Sequence, residues 1–296
     1  MCSSLSSKTT PRCEGVDSDA GEITQQPSGI SIPRLEPAEG VPLSGRSRSI
    51  LESRRRENLI LLALVFILTP LLWATGAAED PWEDCISSDP DRSIRGCTQI
   101  IVRGKDETEI SRASAHYNRG LAYDKKGDID RAIDDYSKAI AGNPKLSVAH
   151  NDRATLYWRK GEIALALADL DKAIAIDTKN DAAYNNRGNV YYHKRDFDRA
   201  IADFGKAISI EPNNSAAYNN RGNAYYKKDD ADRAIADYTK AIDLSPEDYE
   251  FYDNRGRGYE MKGSKEQAIA DYRRALTFNP SLQTSIDSLK RLGVTP

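Results

Sequence analysis

A spacing of 34 residues dominates the sequence. The segment Tyr184–Asn189 (YNNRGN) recurs as Tyr218–Asn223, and related segments stand at the same spacing on either side. One such unit cannot bury its hydrophobic face alone, so each unit must pack against its neighbours in a tandem array. Position 1 of the five units is occupied by Ala113, Ser147, Asp181, Ser215 and Tyr249.

Each unit contains two runs with helical periodicity. In the third unit, Tyr184, Gly188 and Tyr191 lie on one helical face, and Ala200 and Phe204 lie on another after a polar break. The pattern predicts two amphipathic helices joined by a tight turn. In three units the turn carries a glycine, which suits a residue that leaves a helix with positive φ. These residues are Gly127, Gly161 and Gly263.

Two positions of the unit predict close contact between its helices. Position 8 is small, with Gly120, Ala154, Gly188, Gly222 and Gly256. Position 24 is large and apolar, with Tyr136, Leu170, Phe204, Tyr238 and Tyr272. We interpret both positions as parts of a packed core.

This pattern resembles the tetratricopeptide repeat family, whose signature has a small residue at position 8, an aromatic at 11, Ala at 20, an aromatic at 24, Ala at 27 and Pro at 32. All five units match at positions 11, 20 and 27, whereas the second unit departs with Ala154, Leu170 and Thr178. The resemblance implies an all-α fold, an α-solenoid of antiparallel helical hairpins that form a right-handed superhelix with a concave groove.

The domain boundaries follow from the repeat and from composition. Residues 1–56 contain no aromatic residue and are predicted to be a disordered tail, because they cannot bury enough apolar surface to offset their ordering entropy. The remaining segments are 57–78 (signal peptide or transmembrane helix), 79–112 (linker and degenerate half-repeat cap), 113–280 (repeats 113–146, 147–180, 181–214, 215–248 and 249–282) and 281–296 (C-terminal capping helix).

The hydrophobic segment sets the expected location. Leu59–Ala74 carries no charge, arginines precede it and Glu79 follows it, so the positive-inside rule puts the repeats on the extracytoplasmic side. Two interpretations stay open. Either the segment is an uncleaved membrane anchor with a cytoplasmic tail, or it is a cleaved signal peptide of a protein whose translation begins near Leu51 and not at Met1. The protein is then membrane-anchored, or secreted or periplasmic.

Cys85 and Cys97 are the only cysteines after the hydrophobic segment. We predict that they form a disulfide bond in an oxidising compartment, although their spacing alone does not show it. Residues Asp91–Ile101 resemble the second helix of the first repeat, Asp130–Ile140, and this alignment puts Cys97 at position 24. The segment is interpreted as half of a degenerate repeat that caps the array.

Charge and composition argue against nucleic-acid binding and catalysis. The net charge of −3 gives no basic footprint for phosphates. His116 and His150 stand at position 4, where other repeats have tyrosine, so packing explains them, and His193 is isolated. Because no catalytic set, phosphate loop or metal-ligand cluster is evident, we expect no enzyme activity, no cofactor and no metal.

Opposite charges recur at positions 7 and 23 and predict ion pairs within each repeat. The arginines at position 7 are Arg119, Arg153, Arg187, Arg221 and Arg255, and the aspartates at position 23 are Asp135, Asp169, Asp203, Asp237 and Asp271. Their equal numbers favour a structural role over partner binding.

The candidate binding residues come from the resemblance. In the family, the asparagine at position 6 faces the groove and pairs with the backbone of an extended ligand. Position 6 here holds Asn118, Asp152, Asn186, Asn220 and Asn254, and groove positions 5, 9 and 12 add Trp158, Asn185, Asn189, Tyr192, Asn219, Asn223 and Tyr226. We expect Asn186 and Asn220 to lie one repeat apart on the concave wall, so that replacing both weakens binding while folding hardly changes.

These observations favour a cell-envelope scaffold that binds a protein or peptide partner of unknown identity. The alternative is a structural assembly protein that self-associates or stacks on envelope components through its convex faces. The oligomeric state stays open.

Overall fold

The structure, a computed structural model, describes residues 80–296, and all the regular secondary structure in that part of the chain is helical. The α-helices are α1 (Pro81–Cys85), α2 (Pro90–Arg103), α3 (Glu109–Lys125), α4 (Ile129–Gly142), α5 (Ser147–Arg159), α6 (Ile163–Ile176), α7 (Asp181–His193), α8 (Phe197–Ile210), α9 (Ser215–Lys227), α10 (Ala231–Leu244), α11 (Tyr249–Met261), α12 (Lys265–Phe278) and α13 (Gln283–Arg291). The predicted tail and hydrophobic segment lie outside the described residues.

The described residues form two compact units, which we call the N-terminal unit (80–212) and the C-terminal unit (213–296). In the N-terminal unit, α3 packs on α4, α5 on α6 and α7 on α8, and in the C-terminal unit α9 packs on α10 and α11 on α12. Within each unit the second helix of a hairpin also contacts the first helix of the next hairpin. The prediction of an all-helical array of hairpins is confirmed.

The turns inside the hairpins follow one backbone geometry. Gly127, Gly161 and Gly263 have φ between 75° and 79°, which confirms the expectation from sequence. Arg195 and Asp229 occupy the same place in the third and fourth repeats and also have positive φ, at 61° and 59°. Since side chains disfavour this region by roughly 1 kcal/mol, the turn conformation is imposed by the hairpin and tolerated by these two residues.

An aspartate begins the second helix in the first, third and fourth repeats. Asp128 accepts a hydrogen bond from the backbone N–H of Arg131 at 3.2 Å, and the Nε of Arg131 donates to the same carboxylate at 2.6 Å. The guanidinium of Arg131 lies 4.4 Å from the ring centre of Tyr123. The same arrangement recurs at Asp196, Arg199 and Tyr191, and at Asp230, Arg233 and Tyr225.

The second repeat lacks this arrangement. Glu162 precedes α6 without a side-chain capping bond. Leu165 replaces the arginine, and its side chain is 49% exposed. The outer face of α6 is therefore more apolar than that of α4, α8 or α10.

Positions 8 and 24 meet inside every hairpin. A Cβ atom added to Gly188 would lie 2.7 Å from Cε1 of Phe204. A Cβ atom added to Gly120, Gly222 or Gly256 would lie at the same distance from the tyrosine ring at position 24 of its repeat. In the second repeat Ala154 and Leu170 share one buried cluster. The two departures of that repeat are complementary, because the smaller leucine leaves room for the methyl group of alanine.

Both ends of the described chain are closed by short elements. A disulfide bond joins Cys85 on α1 to Cys97 on α2, with an S–S distance of 2.12 Å and both residues buried. The hydroxyl of Ser93 donates to the carbonyl oxygen of Cys85 at 2.7 Å. At the other end, Leu289 of α13 packs into a buried cluster with Ala268 and Tyr272 of α12.

The contact between positions 8 and 24 makes a coupled prediction. Gly188→Ala should lower the free energy of unfolding by about 1–3 kcal/mol, because the new methyl group overlaps the ring of Phe204. Combining it with Phe204→Leu recreates the pair found in the second repeat. The double variant should therefore be less destabilised than the sum of the single variants by about 1 kcal/mol, as measured by urea unfolding of all three. Additive losses would contradict this explanation.

Candidate peptide-binding surface

The arginine at position 7 joins two neighbouring hairpins. Arg153 on α5 donates from Nε and Nη2 to the carboxylate of Asp169 on α6, both at 2.8 Å, and from Nη1 to the hydroxyl of Ser137 on α4 at 2.8 Å. Arg187 likewise binds Asp203 of its own hairpin and Asp171 of the preceding one. Each guanidinium therefore orients its first helix against two second helices.

All five predicted pairs between positions 7 and 23 are present, with N–O distances of 2.7–2.8 Å, so that prediction is confirmed. The aspartates are buried. Burial raises the pKa of Asp135, but the hydrogen bonds from Arg119 and His116 outweigh burial and leave the pKa below its usual value. The pair of Asp135 with Arg119 therefore contributes stability that is lost as the pH falls through the lowered pKa of Asp135.

Two histidines take part in the same network. His116 Nδ1 lies 2.8 Å from Asp135 Oδ1, and His150 Nδ1 lies 3.0 Å from Asp169 Oδ1. Our interpretation of both as packing residues was therefore incomplete, because each also contacts the buried carboxylate. In the third repeat, Tyr184 instead lies beneath the guanidinium of Arg187, 5.6 Å away.

Positions 5 and 6 connect successive first helices. In the N-terminal unit the hydroxyl of Tyr117 donates to Asp152 at 2.9 Å, and Asn186 Nδ2 donates to Asn151 Oδ1 at 2.9 Å. In the C-terminal unit Asn254 Nδ2 donates to Asn219 Oδ1 at 2.8 Å. In the second, third and fifth repeats the residue at position 6 thus pairs with position 5 of the preceding repeat.

These bonds correct one expectation. Asn118, Asn220 and Asn254 are only 4%, 0% and 5% exposed, and Asn186 is bonded to its neighbour. The premise that the side chains of Asn186 and Asn220 stay out of the contacts between helices is wrong, because Asn186 bonds Asn151 of the preceding repeat and Asn220 is fully buried. Replacing both residues should therefore lower stability as well as binding. Asn186 belongs to the N-terminal unit and Asn220 to the C-terminal unit, and each is described only within its own unit.

Three of the predicted amides carry a buried polar atom without a hydrogen-bond partner in the described chain. These atoms are Asn118 Oδ1 and Asn189 Oδ1 in the N-terminal unit and Asn223 Nδ2 in the C-terminal unit. Asn223 Oδ1 accepts from the hydroxyl of Tyr238 at 2.8 Å, which holds the amide in place. Buried polar groups are almost always paired, so these atoms are candidates for contact with a ligand.

Aromatic side chains lie at the ends of α5 and α7. The ring of Trp158 is 5.1 Å from that of His193, and Tyr192 packs at 5.7 Å from His193 and 5.5 Å from Phe197. Burial lowers the pKa of His193. His193 was not predicted as a binding residue, because no other repeat carries histidine at its position. Asn185, which was predicted, is half-buried on the same helix.

Asp152 differs chemically from the other residues at position 6. Burial raises the pKa of Asp152 to about 6, although hydrogen bonds from Tyr117 and Asn151 act in the opposite direction. Its carboxylate receives the Tyr117 hydroxyl and the Asn151 amide, the latter at 3.1 Å.

In the C-terminal unit an arginine at position 9 joins the predicted residues. The guanidinium of Arg257 lies 5.7 Å from the ring centre of Tyr226 and donates to Asn254 Oδ1. Its Nε lies 3.6 Å from Asp253, which also accepts from Ser285 at 2.6 Å. Arg257 was not predicted because the other repeats carry leucine, threonine or asparagine at this position.

Residues 80–296 contain no cluster of His, Cys, Asp and Glu side chains that could hold a metal ion. Within the same range, every helix is too short or too polar to cross a membrane.

Sequence comparisons agree with the geometry of the hairpins. Models of the tetratricopeptide repeat match residues 113–145, 182–214, 215–248 and 249–282, and a further model of the same repeat matches residues 156–194. The chain belongs to the tetratricopeptide repeat family. No curated protein sequence matches it.

Solved structures of other tetratricopeptide repeat arrays have the same fold. The Cut9 and Hcn1 hetero-tetramer of APC/C aligns with a TM-score of 0.58 at 23% identity, over 69% of this chain and 39% of that one. YrrB, a repeat protein with an unusual peptide-binding site, aligns with a TM-score of 0.54 at 18% identity, over 67% and 99%. PilF of Pseudomonas aeruginosa aligns with a TM-score of 0.57 at 21% identity, over 61% and 82%.

The contacts between repeats predict which asparagines of the third repeat stabilise the array. Asn186→Ala should lower the free energy of unfolding by about 1–2 kcal/mol, because it leaves Asn151 Oδ1 buried without its donor. Asn189→Ala on the same helix is the matched control. It should lower the free energy of unfolding by a smaller amount, since the side-chain oxygen of Asn189 has no hydrogen bond to lose. Chemical denaturation of both variants measures the difference. A larger loss for Asn189→Ala would refute this assignment of roles.

Proposed function

We propose that the first helices of the repeats bind an extended or helical segment of another protein. The observation that carries the proposal is the set of unpartnered amide atoms on that face. Asn189 and Asn223 both stand at position 9. The side-chain oxygen of Asn189 can accept from a peptide N–H, and the side-chain nitrogen of Asn223 can donate to a peptide carbonyl group. Such contacts hold a backbone without selecting its side chains.

Neighbouring side chains supply apolar contact area for the bound segment. Trp158 and Tyr192 belong to the same aromatic group, and Tyr226 is covered on one side by Arg257. Aromatic rings bury a large area at a small cost in side-chain entropy. The peptide-binding site of YrrB, a protein with the same fold, is consistent with this use of the array.

We also propose that the protein works in the cell envelope. The support is the uncharged segment Leu59–Ala74 between arginines and acids, together with a disulfide bond between the two cysteines that follow it. The protein is then either anchored by that segment or released by cleavage after it.

Self-association through the convex face is the second candidate. One observation favours it, the exposure of Leu165 and Ile176 on the outer face of α6. In three other repeats an arginine stands in place of Leu165. An apolar patch of this kind could contact a second copy of the chain.

Peptides selected from a random decapeptide library on the full-length protein should bind the face formed by the first helices. Asn189→Ala should weaken peptides that bind the N-terminal unit about fivefold, and Asn223→Ala should do the same for peptides that bind the C-terminal unit, since a neutral hydrogen bond contributes about 1 kcal/mol. Leu165→Ala is the control on the convex face and should leave peptide affinity unchanged. Fluorescence anisotropy gives the affinities, and sedimentation of the same proteins gives the oligomeric state.

Failure to select any peptide would end the peptide-binding proposal. Dimers that dissociate in Leu165→Ala would support the second candidate instead.

The envelope proposal predicts the state of the cysteines in cells. Mass spectrometry of protein alkylated before lysis should find Cys85 and Cys97 joined, because an exported protein meets an oxidising environment. The bond closes a short loop and should contribute about 3 kcal/mol, so a Cys85→Ser/Cys97→Ser variant should melt at a lower temperature. Two alkylated thiols in protein from the envelope fraction would contradict the prediction.

A further inference from the structure

Asp152 is the single carboxylate at position 6, where the other four repeats have asparagine. It accepts from the hydroxyl of Tyr117 at 2.9 Å and from the amide of Asn151 at 3.1 Å. Neither donor carries a charge. No lysine, arginine or histidine among residues 80–296 forms an ion pair with it, and no cation offsets the effect of burial on its pKa.

The buried aspartates of the N-terminal unit's repeats differ from the half-buried Asp152 in their partners. Asp135, Asp169 and Asp203 each receive two hydrogen bonds from one arginine. The arginine on the same face of α5 as Asp152 is Arg159, and its guanidinium is paired with Asp124 at 2.6 Å. Asp152 is thus a poorly hydrated charge whose neighbours do not neutralise it.

Side chains suited to a cation lie on the same face of α5. At 100° per residue, Asp152, Thr155, Trp158 and Arg159 fall within one-third of the helix circumference. Trp158 packs against His193 of α7 with the ring centres 5.1 Å apart, so its ring is held in place. A carboxylate together with an indole ring is a combination that binds lysine and arginine side chains.

We propose that Asp152 determines the specificity of the N-terminal unit by pairing with a lysine or arginine side chain of the bound segment. This rests on the proposed function, since a segment must first bind the face formed by the first helices. The amide atoms hold the backbone of that segment, and Asp152 selects the charge of one side chain. A bound cation supplies the partner that the protein itself lacks.

The charge state of Asp152 makes the selection dependent on pH. The ionisable groups that act on it are Tyr117 and Asp124 of α3, Tyr136 of α4 and, through Asp124, Arg159 of α5. His193 lies farther along α7 and can protonate in the acid range. Because a carboxylate is charged above its pKa, the preference for cations should be strongest above pH 7 and should weaken as the pH falls through 6.

The test uses full-length protein and four pools of decapeptides whose fifth residue is fixed as Lys, Arg, norleucine or Glu while the others are randomised without charged residues. At pH 7.5 the Lys and Arg pools should bind about tenfold more tightly than the norleucine pool, because their side chains can form a charge-assisted hydrogen bond with Asp152. The Glu pool should bind most weakly.

The decisive variant is Asp152→Asn. It introduces the residue that the other four repeats carry at position 6. The hydroxyl of Tyr117 can donate to the new amide oxygen, so the array should stay folded. Circular dichroism checks the folding of the variant. The Lys and Arg pools should bind this variant no more tightly than the norleucine pool at any pH between 5 and 8.

The outcomes separate the two proposals. Equal binding of all four pools to the unmodified protein, or a preference for cations that survives Asp152→Asn, overturns the role of Asp152 while leaving peptide binding intact. Binding of no pool overturns both.

Discussion

The stacking of hairpins depends on the hydrogen bonds that the guanidinium of the position-7 arginine donates, and we call this set of bonds the arginine fork. Two of its N–H groups bind the aspartate on the second helix of its own hairpin, and in the first, second, third and fifth repeats a third reaches position 25 of the preceding second helix. The planar guanidinium fits this geometry because its donors point in fixed directions. One residue type thereby determines both the packing within a hairpin and the register with its neighbour inside each unit.

The second repeat shows how the array accommodates variation. Ala154 and Leu170 change together in its core, Leu165 replaces an arginine on its outer face, and Asp152 replaces an asparagine at position 6. Its arginine fork is nevertheless intact, with Arg153 on Asp169 and Ser137. Because the fork preserves the position of the hairpin, the repeat can differ from the others in core size, surface polarity and charge. The self-association proposal depends on Leu165 of this repeat, and the proposed selection of a cationic side chain depends on Asp152 of the same repeat.

The groove residues illustrate what a repeat pattern can predict and where it fails. The resemblance to the family assigned positions 5, 6, 9 and 12 to the groove, and the buried amides of Asn189 and Asn223 do belong to first helices. The pattern did not reveal that Asn186 bonds Asn151, because that contact joins residues 35 apart whose separation in space depends on how two hairpins stack. Nor could it separate amides used for packing from those with an unpartnered atom.

The sequence by itself determined the hairpin and its repetition. Spacing of 34 residues, helical periodicity, small residues opposite large ones and paired charges are local or nearly local signals, and each reports on contacts within one repeat or between adjacent ones. Only the tertiary structure decided which polar atoms are satisfied. Whether Asp152 meets an arginine or only the uncharged donors of Tyr117 and Asn151 depends on side chains brought together by packing, because hydrogen bonds and burial act over a few ångströms in space and not along the chain.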